Sequence, residues 1–239
     1  MNLCVTILAG GLGKRMQSSL PKVLHLWKGK PMLVHVIEQS LFLNPSTILI
    51  VTGKFNDLIQ ETVSKYVSST KLQFVMQETP LGTGHAVHCC LPYIKKEDDV
   101  LILNGDTPNI QQKLLTNFIS INKNALITCT FDDPEGYGRI VVNRENQIEK
   151  IVEEKDASDE EKGIQQVNSG IYKINGGDLL ELIPKIDNHN KQNEYYLTTI
   201  IELLNKHKRQ ICAHLISKED NAYVKGVNTK EQLEYLEKI

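Results

Sequence analysis

The chain has 239 residues, 41% hydrophobic and 23% charged, with a formal net charge of −2. That is ordinary globular composition, long enough for one sizeable core, and it excludes a bulk electrostatic pull toward nucleic acid because no basic block occurs. No apolar run reaches the ~20 residues of a membrane helix, and the five cysteines, odd in number and without zinc or disulfide spacing, point with the missing signal-peptide pattern to a reduced, cytoplasmic protein.

Leu3 to Leu8 is apolar and reads as a buried strand. It runs into Leu8-Ala9-Gly10-Gly11-Leu12-Gly13-Lys14-Arg15-Met16, and Leu20-Pro21-Lys22-Val23-Leu24 follows. Glycines let a backbone wrap closely round a ligand, and successive N–H groups in such a turn form an anion-binding concavity. Arg15 can fork onto phosphate oxygens, and Lys22 adds a compact second charge. The spacing is not that of a P-loop, since Arg15 follows Lys14 where a Ser or Thr should stand. It is not the dinucleotide fingerprint either, because Met16 occupies the third glycine position. Taken alone, the stretch is equally a plain strand-to-loop turn.

Lys30-Pro31-Met32 opens a helix with proline in its first turn, and Leu33, Val36, Ile37 and Leu41 recur at helical spacing. Thr47–Thr52 is a strand, Asp57–Tyr66 a helix, Leu72–Met76 a strand. Gly82-Thr83-Gly84 leads a helical run through Ala86, Val87 and Leu91. Val100–Leu103 is a strand ending at Asn104-Gly105-Asp106, and a helix over Leu114–Ile121 and a strand over Ala125–Phe131 follow. Strands alternating with helices predict a mostly parallel sheet covered on both faces, with ligands beyond the carboxyl ends of its strands. The second half differs. Gly136–Val142 and Ile148–Val152 read as a hairpin, Glu153–Lys162 as a charged loop or short helix, and Gln166–Ile174 as a strand. Helices are expected over Asp178–Ile183 and Tyr195–His207, a strand over Ile211–Ile216, and a last helix over Thr229–Ile239 with Thr229 and Gln232 at capping-box spacing.

Three further constellations can carry chemistry. A glutamine amide supplies both donor and acceptor to a nucleobase, so Gln77 before Leu81-Gly82-Thr83-Gly84-His85-Ala86 suits base binding; the alternative is a helix start that Gly82 and Thr83 merely cap. Asp106 at a strand end suits a hard cation; the alternative is a turn. Asn228 before the last helix offers a neutral oxygen to the same ion, or a helix cap.

With these motifs in order, the chain resembles the sugar-phosphate nucleotidyltransferases along nearly its whole length. It is most similar to the N-acetylglucosamine-1-phosphate uridyltransferase branch, whose short gap between Arg15 and Lys22 it shares. The resemblance implies a Rossmann-like, mostly parallel α/β sheet with a smaller mixed β sugar-binding lobe, the GT-A-like nucleotide-sugar fold. It implies a uridyltransferase domain over 1–228, a C-terminal helix over 229–239 and no left-handed β-helix acetyltransferase domain, hence no trimer by that route; the oligomeric state is otherwise open. It implies UTP and N-acetylglucosamine 1-phosphate as substrates, no nucleic acid or membrane partner, and Mg²⁺ as cofactor. Carried over by position, Arg15 and Lys22 are catalytic; Leu8, Ala9, Gly10, Gly11, Gln77, Gly82 and Thr83 hold the nucleotide. Asn104, Gly105, Gly138 in Gly-Tyr-Gly-Arg-Ile, Glu153 in Ile-Val-Glu-Glu-Lys and Asn168 in Val-Asn-Ser-Gly-Ile hold the sugar, and Asp106 and Asn228 the metal. His85 is expected to serve structure rather than act as a base. Two departures stand out: Asn109 replaces a usual leucine, and Thr199 a usual aspartate, after Asn193-Glu194-Tyr195-Tyr196-Leu197-Thr198. A sister enzyme with another sugar or base, and a nucleotide-binding regulatory protein without turnover, are the rival readings.

Overall fold

The computed structural model describes residues 2–11 and 13–238, the side chain of Lys14 apart, so the expectations at Leu12 and Ile239 lie outside the described residues. Strand β1 (Asn2–Leu8) sits mid-sheet, and its central side chains, mostly apolar, are buried on both faces. A two-residue hairpin, β2 (Leu26–Trp27) with β3 (Lys30–Pro31), follows the glycine loop and leads into α1 (Met32–Leu41). Pro31 therefore belongs to that hairpin and immediately precedes the helix, instead of forming its first turn.

β4 (Thr47–Thr52) and β5 (Leu72–Met76), joined by α2 (Asn56–Ser64), extend the sheet parallel to β1. After α3 (Thr83–Cys90), β6 (Asp98–Asn104) pairs in parallel with the other side of β1. Helix α4 (Gln112–Ile119) then leads to β7 (Asn124–Thr130). The hairpin β8 (Arg139–Val142) and β9 (Ile148–Val152) precedes α5 (Asp159–Lys162), a single turn started by a capping box from Ser158 to Glu161. β10 (Gln166–Asn175) inserts antiparallel between β6 and β7. Helices α6 (Gly176–Leu182) and α7 (Ile200–Lys206) come before the edge strand β11 (Ile211–Leu215), and α8 (Asn221–Val224) and α9 (Lys230–Glu237) close the chain.

The strand order is β11-β7-β10-β6-β1-β4-β5, with the β8–β9 hairpin attached through β10. The second half is thus woven into the same sheet, and the hairpin packs Ile140, Ile148 and Ile151 into one of its cores. Alternation along the strands divides the core between two faces. Cys4, Leu49, Val51, Val100 and Ile102 face one apolar cluster with α3, α6 and α7, while Val5, Ile7, Ile48, Ile50, Leu101 and Leu103 face the other with α1, α2 and α4. Each such fully buried side chain contributes about 1.5–3 kcal/mol over exposure. The buried thiols of Cys4 and Cys129 behave as small apolar groups, and burial pushes both up to about 12. Helix α9 is started by the expected Thr229–Gln232 capping box and docks through Leu236 onto Trp27, Met32 and Val227.

One expected helix starts late. Tyr195 and Tyr196 are not helical; a 3₁₀ turn at Leu197–Thr199 precedes α7. The reason is long-range: Tyr195 N–H donates to Leu81 O at 2.8 Å, and Gly84 N–H donates to Tyr195 O at 2.7 Å. Both backbone groups of Tyr195 are thus committed to the segment that leads into α3, so neither is free to join a helical ladder. Among the described residues no helix is long and apolar enough to cross a membrane.

Candidate active site

The loops that carry the motifs are hung from the carboxyl ends of the parallel strands. Ala9 N–H continues the ladder to Val51 O at 2.8 Å, Gln77 N–H to Thr52 O at 2.8 Å, and Gly105 N–H to Leu8 O at 2.9 Å. Three loops are thereby fixed at one edge. Because β10 runs antiparallel, its first residues lie at that edge too, which brings Asn168 beside the end of β7. The hairpin then adds Gly138, whose carbonyl accepts from Asn168 N–H at 2.9 Å.

Two clefts open there. The first, about 490 Å³, is walled by Leu8, Ala9, Gly10, Gly11, Lys22, Gln77, Gly82 and Thr83 together with Asn104, Asp106 and Glu194. Every residue expected to hold a nucleotide lines it. Gly13 has φ +59 and lies against Lys22, so the turn both needs a glycine and sets the lysine's position. Gly82 has φ +110, and a β-carbon there would stand 2.6 Å from Tyr195 O. The glycines of Leu81-Gly82-Thr83-Gly84 are therefore also required by the close approach of Tyr195, a reason the sequence did not reveal. Gln77 is buried; its side-chain nitrogen donates to Gly82 O at 3.0 Å and lies 3.0 Å from His85 Nδ1.

The second cleft, about 330 Å³, is walled by Arg15, Gly138, Glu153, Asn168 and Asn228, with Tyr137, Tyr172 and Thr198. It shares Leu8, Thr83, Asn104 and Asp106 with the first. Thr198 Oγ1 donates to Glu153 Oε1 at 2.9 Å, and a β-carbon on Gly138 would lie 3.5 Å from Glu153 Oε2. Glu153 is thus held inside the cleft rather than on a solvated face, and its desolvation raises its pKa against the opposing bond from Thr198. Asn168 donates from Nδ2 to the Tyr172 hydroxyl at 2.7 Å and accepts from Gly170 N–H at 2.9 Å. Burial pushes the Tyr137 hydroxyl up to about 12, with Cys129 and Asp106 adding to it and Arg15 opposing.

Between the clefts stands a polar cluster. Lys22 Nζ donates to Asp106 Oδ2 and, at 2.9 Å, to Asn228 Oδ1; Arg15 Nη2 donates to the same Asn228 oxygen at 2.9 Å. Val227 N–H to Asp106 O at 2.9 Å ties the approach to α9 to the loop after β6. Two residues about 120 apart in sequence are so made neighbours. Gly105 is the exception among the expected contacts. It lies beneath the clefts, with its N–H used on Leu8 O and its Cα against Leu33 and Ala9, so it has no free donor for a sugar. Thr198, Tyr137, Tyr172 and Glu194 also wall these clefts. The sequence offered them only inside longer motifs, with no role of their own: Glu194 and Thr198 in the segment 193–198, Tyr137 in Gly-Tyr-Gly-Arg-Ile, and Tyr172 directly after Val-Asn-Ser-Gly-Ile. Among the described residues no group of three or more His, Cys, Asp or Glu side chains is placed to hold a metal ion.

A mostly parallel sheet with a glycine-walled cleft at its carboxyl edge, adjoining a second polar cleft across a Lys–Asp–Asn–Arg cluster, defines a nucleotidyltransferase architecture. The chain belongs to the family described as the MobA-like NTP transferase domain, which it matches over residues 5–167. It is 40% identical to "Probable UDP-N-acetylglucosamine pyrophosphorylase" of Acanthamoeba polyphaga mimivirus, over 99% of this chain and 96% of that protein. It is 42% identical to proteins named "Bifunctional protein GlmU" from Alcanivorax borkumensis and from Nitrosococcus oceani, in each case over 100% of this chain and 52% of the relative; the chain spans about half the length of these two. Among solved structures, a UDP-glucose pyrophosphorylase complexed with UDP-glucose shares the fold, with TM-score 0.78 at 18% identity over 100% of this chain and 98% of that one.

Proposed function

We propose that the protein transfers the uridylyl group of UTP to N-acetyl-α-D-glucosamine 1-phosphate, giving UDP-N-acetylglucosamine and pyrophosphate. The observation that carries this reading is the pair of clefts that share Asp106, Asn104, Leu8 and Thr83. Two substrates of different chemistry can then meet at one point. The names of the mimiviral and bacterial relatives support the choice of base and sugar. Residues 1–228 carry the activity in this reading, and α9 buttresses it through Leu236. Free thiols and polar small-molecule substrates fit a cytoplasmic setting.

The glycine-walled cleft takes UTP, with Leu8, Ala9, Gly10, Gly11, Gly82 and Thr83 against its nucleoside and phosphates and Gln77 on the base. The second cleft takes the amino sugar, with Gly138, Glu153, Asn168 and Asn104 around the acetamido group and hydroxyls. A phosphate oxygen of the sugar phosphate attacks the α-phosphorus of UTP, the bond from that phosphorus to the bridging oxygen breaks, and pyrophosphate leaves. The nucleophile needs no base, since its second pKa is near ~6 and it is dianionic at neutral pH. Arg15 and Lys22 neutralise charge on the leaving and transferred phosphates, so the chain's own contribution is positioning and electrostatics. Lys22 already presents a cation to both Asp106 and Asn228, so this hard oxygen pair accepts positive charge. Asp106 and Asn228 would hold Mg²⁺ with phosphate oxygens and water completing its shell, and the bound ion would supply further neutralisation of phosphate charge.

Pyrophosphate release with Mg²⁺, crossing UTP, CTP and dTTP against N-acetylglucosamine, N-acetylgalactosamine and glucose 1-phosphates, tests the reading. Release confined to UTP with N-acetylglucosamine 1-phosphate is expected. Release with another pair would replace the base or the sugar assignment. Binding of UTP by folded protein without release from any pair would leave a nucleotide-binding regulatory protein.

A further inference from the structure

The Gln77 amide is held from two sides. Its side-chain nitrogen stands 3.0 Å from Gly82 O and 3.0 Å from His85 Nδ1. A carbonyl oxygen can only accept, so the amide atom facing Gly82 is the NH₂ group. One of its hydrogens goes to Gly82. The other goes to His85 Nδ1, which must then be the bare nitrogen of a neutral ring. Both amide hydrogens are consumed inside the protein. What remains for a ligand is the amide oxygen, which lies 3.3 Å from where a β-carbon on Gly10 would be, on the loop that walls the first cleft.

We propose that His85 is a positioning residue for base recognition: by accepting one amide hydrogen of Gln77 it leaves only the amide oxygen toward the base. That selects a base presenting a ring N–H, as the imide of uracil does, over one presenting a bare ring nitrogen, as cytosine does. The inference rests on the uridine reading of this cleft.

His85 is placed to titrate. His88 lies on the same helix with its ring parallel and centroids 6.3 Å apart, and the Tyr195 ring is tilted at 6.3 Å. Leu81, Ile183, Pro184 and Ile186 complete an apolar pocket of about 370 Å³ round the two imidazoles. Desolvation and His88 hold the His85 pKa below the ordinary histidine value, with the Thr79 backbone opposing, so the ring is neutral at pH 7. In acid, Nδ1 gains a proton and becomes a donor facing a donor. The amide must then turn its oxygen to His85, give up Gly82 and present NH₂ to the base.

The test is kcat and KM for UTP and for CTP, from about pH 8 to about pH 5, in the wild type, His85→Asn and His85→Leu. Asparagine places a non-titrating acceptor where Nδ1 stood; leucine has none. The expected UTP/CTP ratio of kcat/KM falls in acid for the wild type and stays level for His85→Asn, which also controls for ionisation of the nucleotides. In His85→Leu it is lower by about fivefold at every pH, mainly through KM, the size of one lost hydrogen bond. A wild-type ratio in His85→Leu, or the same acid fall in His85→Asn as in the wild type, overturns the proposal. If His85→Leu does not fold, the pH comparison with His85→Asn decides alone. A wild type that does not favour UTP over CTP at neutral pH overturns the uridine reading itself, and is seen before any variant is made.

Discussion

A β-carbon built on Gly13 would stand 2.6 Å from the β-carbon of Lys22. The glycine loop and the lysine after it are therefore one packed unit, and the lysine's reach to Asp106 and Asn228 depends on a missing side chain. Gly13→Ala should cost about 1–2 kcal/mol from the left-handed backbone alone and push Lys22 off its partners. Turnover should fall about tenfold or more, with a drop of a few degrees in melting temperature. Wild-type kcat in the purified variant would detach Gly13 from the placement of Lys22.

Arg15 is exposed, and among the described residues its side chain hydrogen-bonds to Asn228 Oδ1. Arg15→Ala should leave stability within about 0.5 kcal/mol, because little is buried. Turnover should fall by about a hundredfold or more if the guanidinium meets phosphate charge in the transition state. Parallel thermal melts and pyrophosphate-release rates check both halves.

Lys22→Met removes the cation that now neutralises Asp106, whose side chain is only 17% exposed. A divalent ion that competes with this ammonium should bind the variant more tightly. Mg²⁺ titrated into the protein alone should therefore raise the melting temperature of Lys22→Met more than that of the wild type, while turnover falls. Equal Mg²⁺ shifts in the two proteins would remove Asp106 as a ligand.

The carboxyl group of Glu153 has a raised pKa, chiefly through desolvation. Between its ordinary and its raised value the native state keeps a proton that the unfolded chain has released. The stability this proton confers is lost as pH rises through the folded pKa. Glu153→Gln should therefore abolish that decline in denaturant-midpoint measurements across the mildly acid range. Thr198→Val removes the donor to Glu153 Oε1 and should shift the decline to higher pH. In the proposed reaction both variants raise KM for the sugar phosphate, by about tenfold for Thr198→Val, with little change in KM for UTP. A pH-stability curve unchanged in Glu153→Gln would move the titrating group elsewhere.

What the sequence made legible was local. Thr47–Thr52 and Leu72–Met76 run the full length expected because their apolar residues specify strands without outside help. The Thr229–Gln232 capping box is a four-residue statement, and it is present. The glycine loop, Gln77 and Asp106 were readable as a site because each follows a strand whose carboxyl end fixes where it must lie. What stayed hidden was made by contacts between distant segments. The spacing of Leu197, Ile200, Ile201 and Leu204 extends a helix back to Tyr195, yet hydrogen bonds to Leu81 and Gly84 take up that residue's N–H and carbonyl. The insertion of β10 against the parallel grain, which carries Asn168 to the site, has no local signature in Gln166–Asn175. Nor could Gly105 be told from its neighbours until Leu33 was seen beneath it.

The segment from Tyr195 to Thr198 lines the second cleft and is bonded to Thr83, which lines both. Tyr195 is bonded to the backbone of Leu81 and Gly84, Leu197 N–H to Thr83 Oγ1 at 3.0 Å, and Thr198 to Glu153. A ligand that steadies Thr83 from one side therefore also steadies the side chain that orients Glu153 on the other. Ordering costs met by the first substrate need not be met again by the second. Thermodynamic reciprocity then requires that UTP tighten the sugar phosphate by the same factor as the sugar phosphate tightens UTP. A short piece of irregular backbone thus ties the two affinities together through one shared factor.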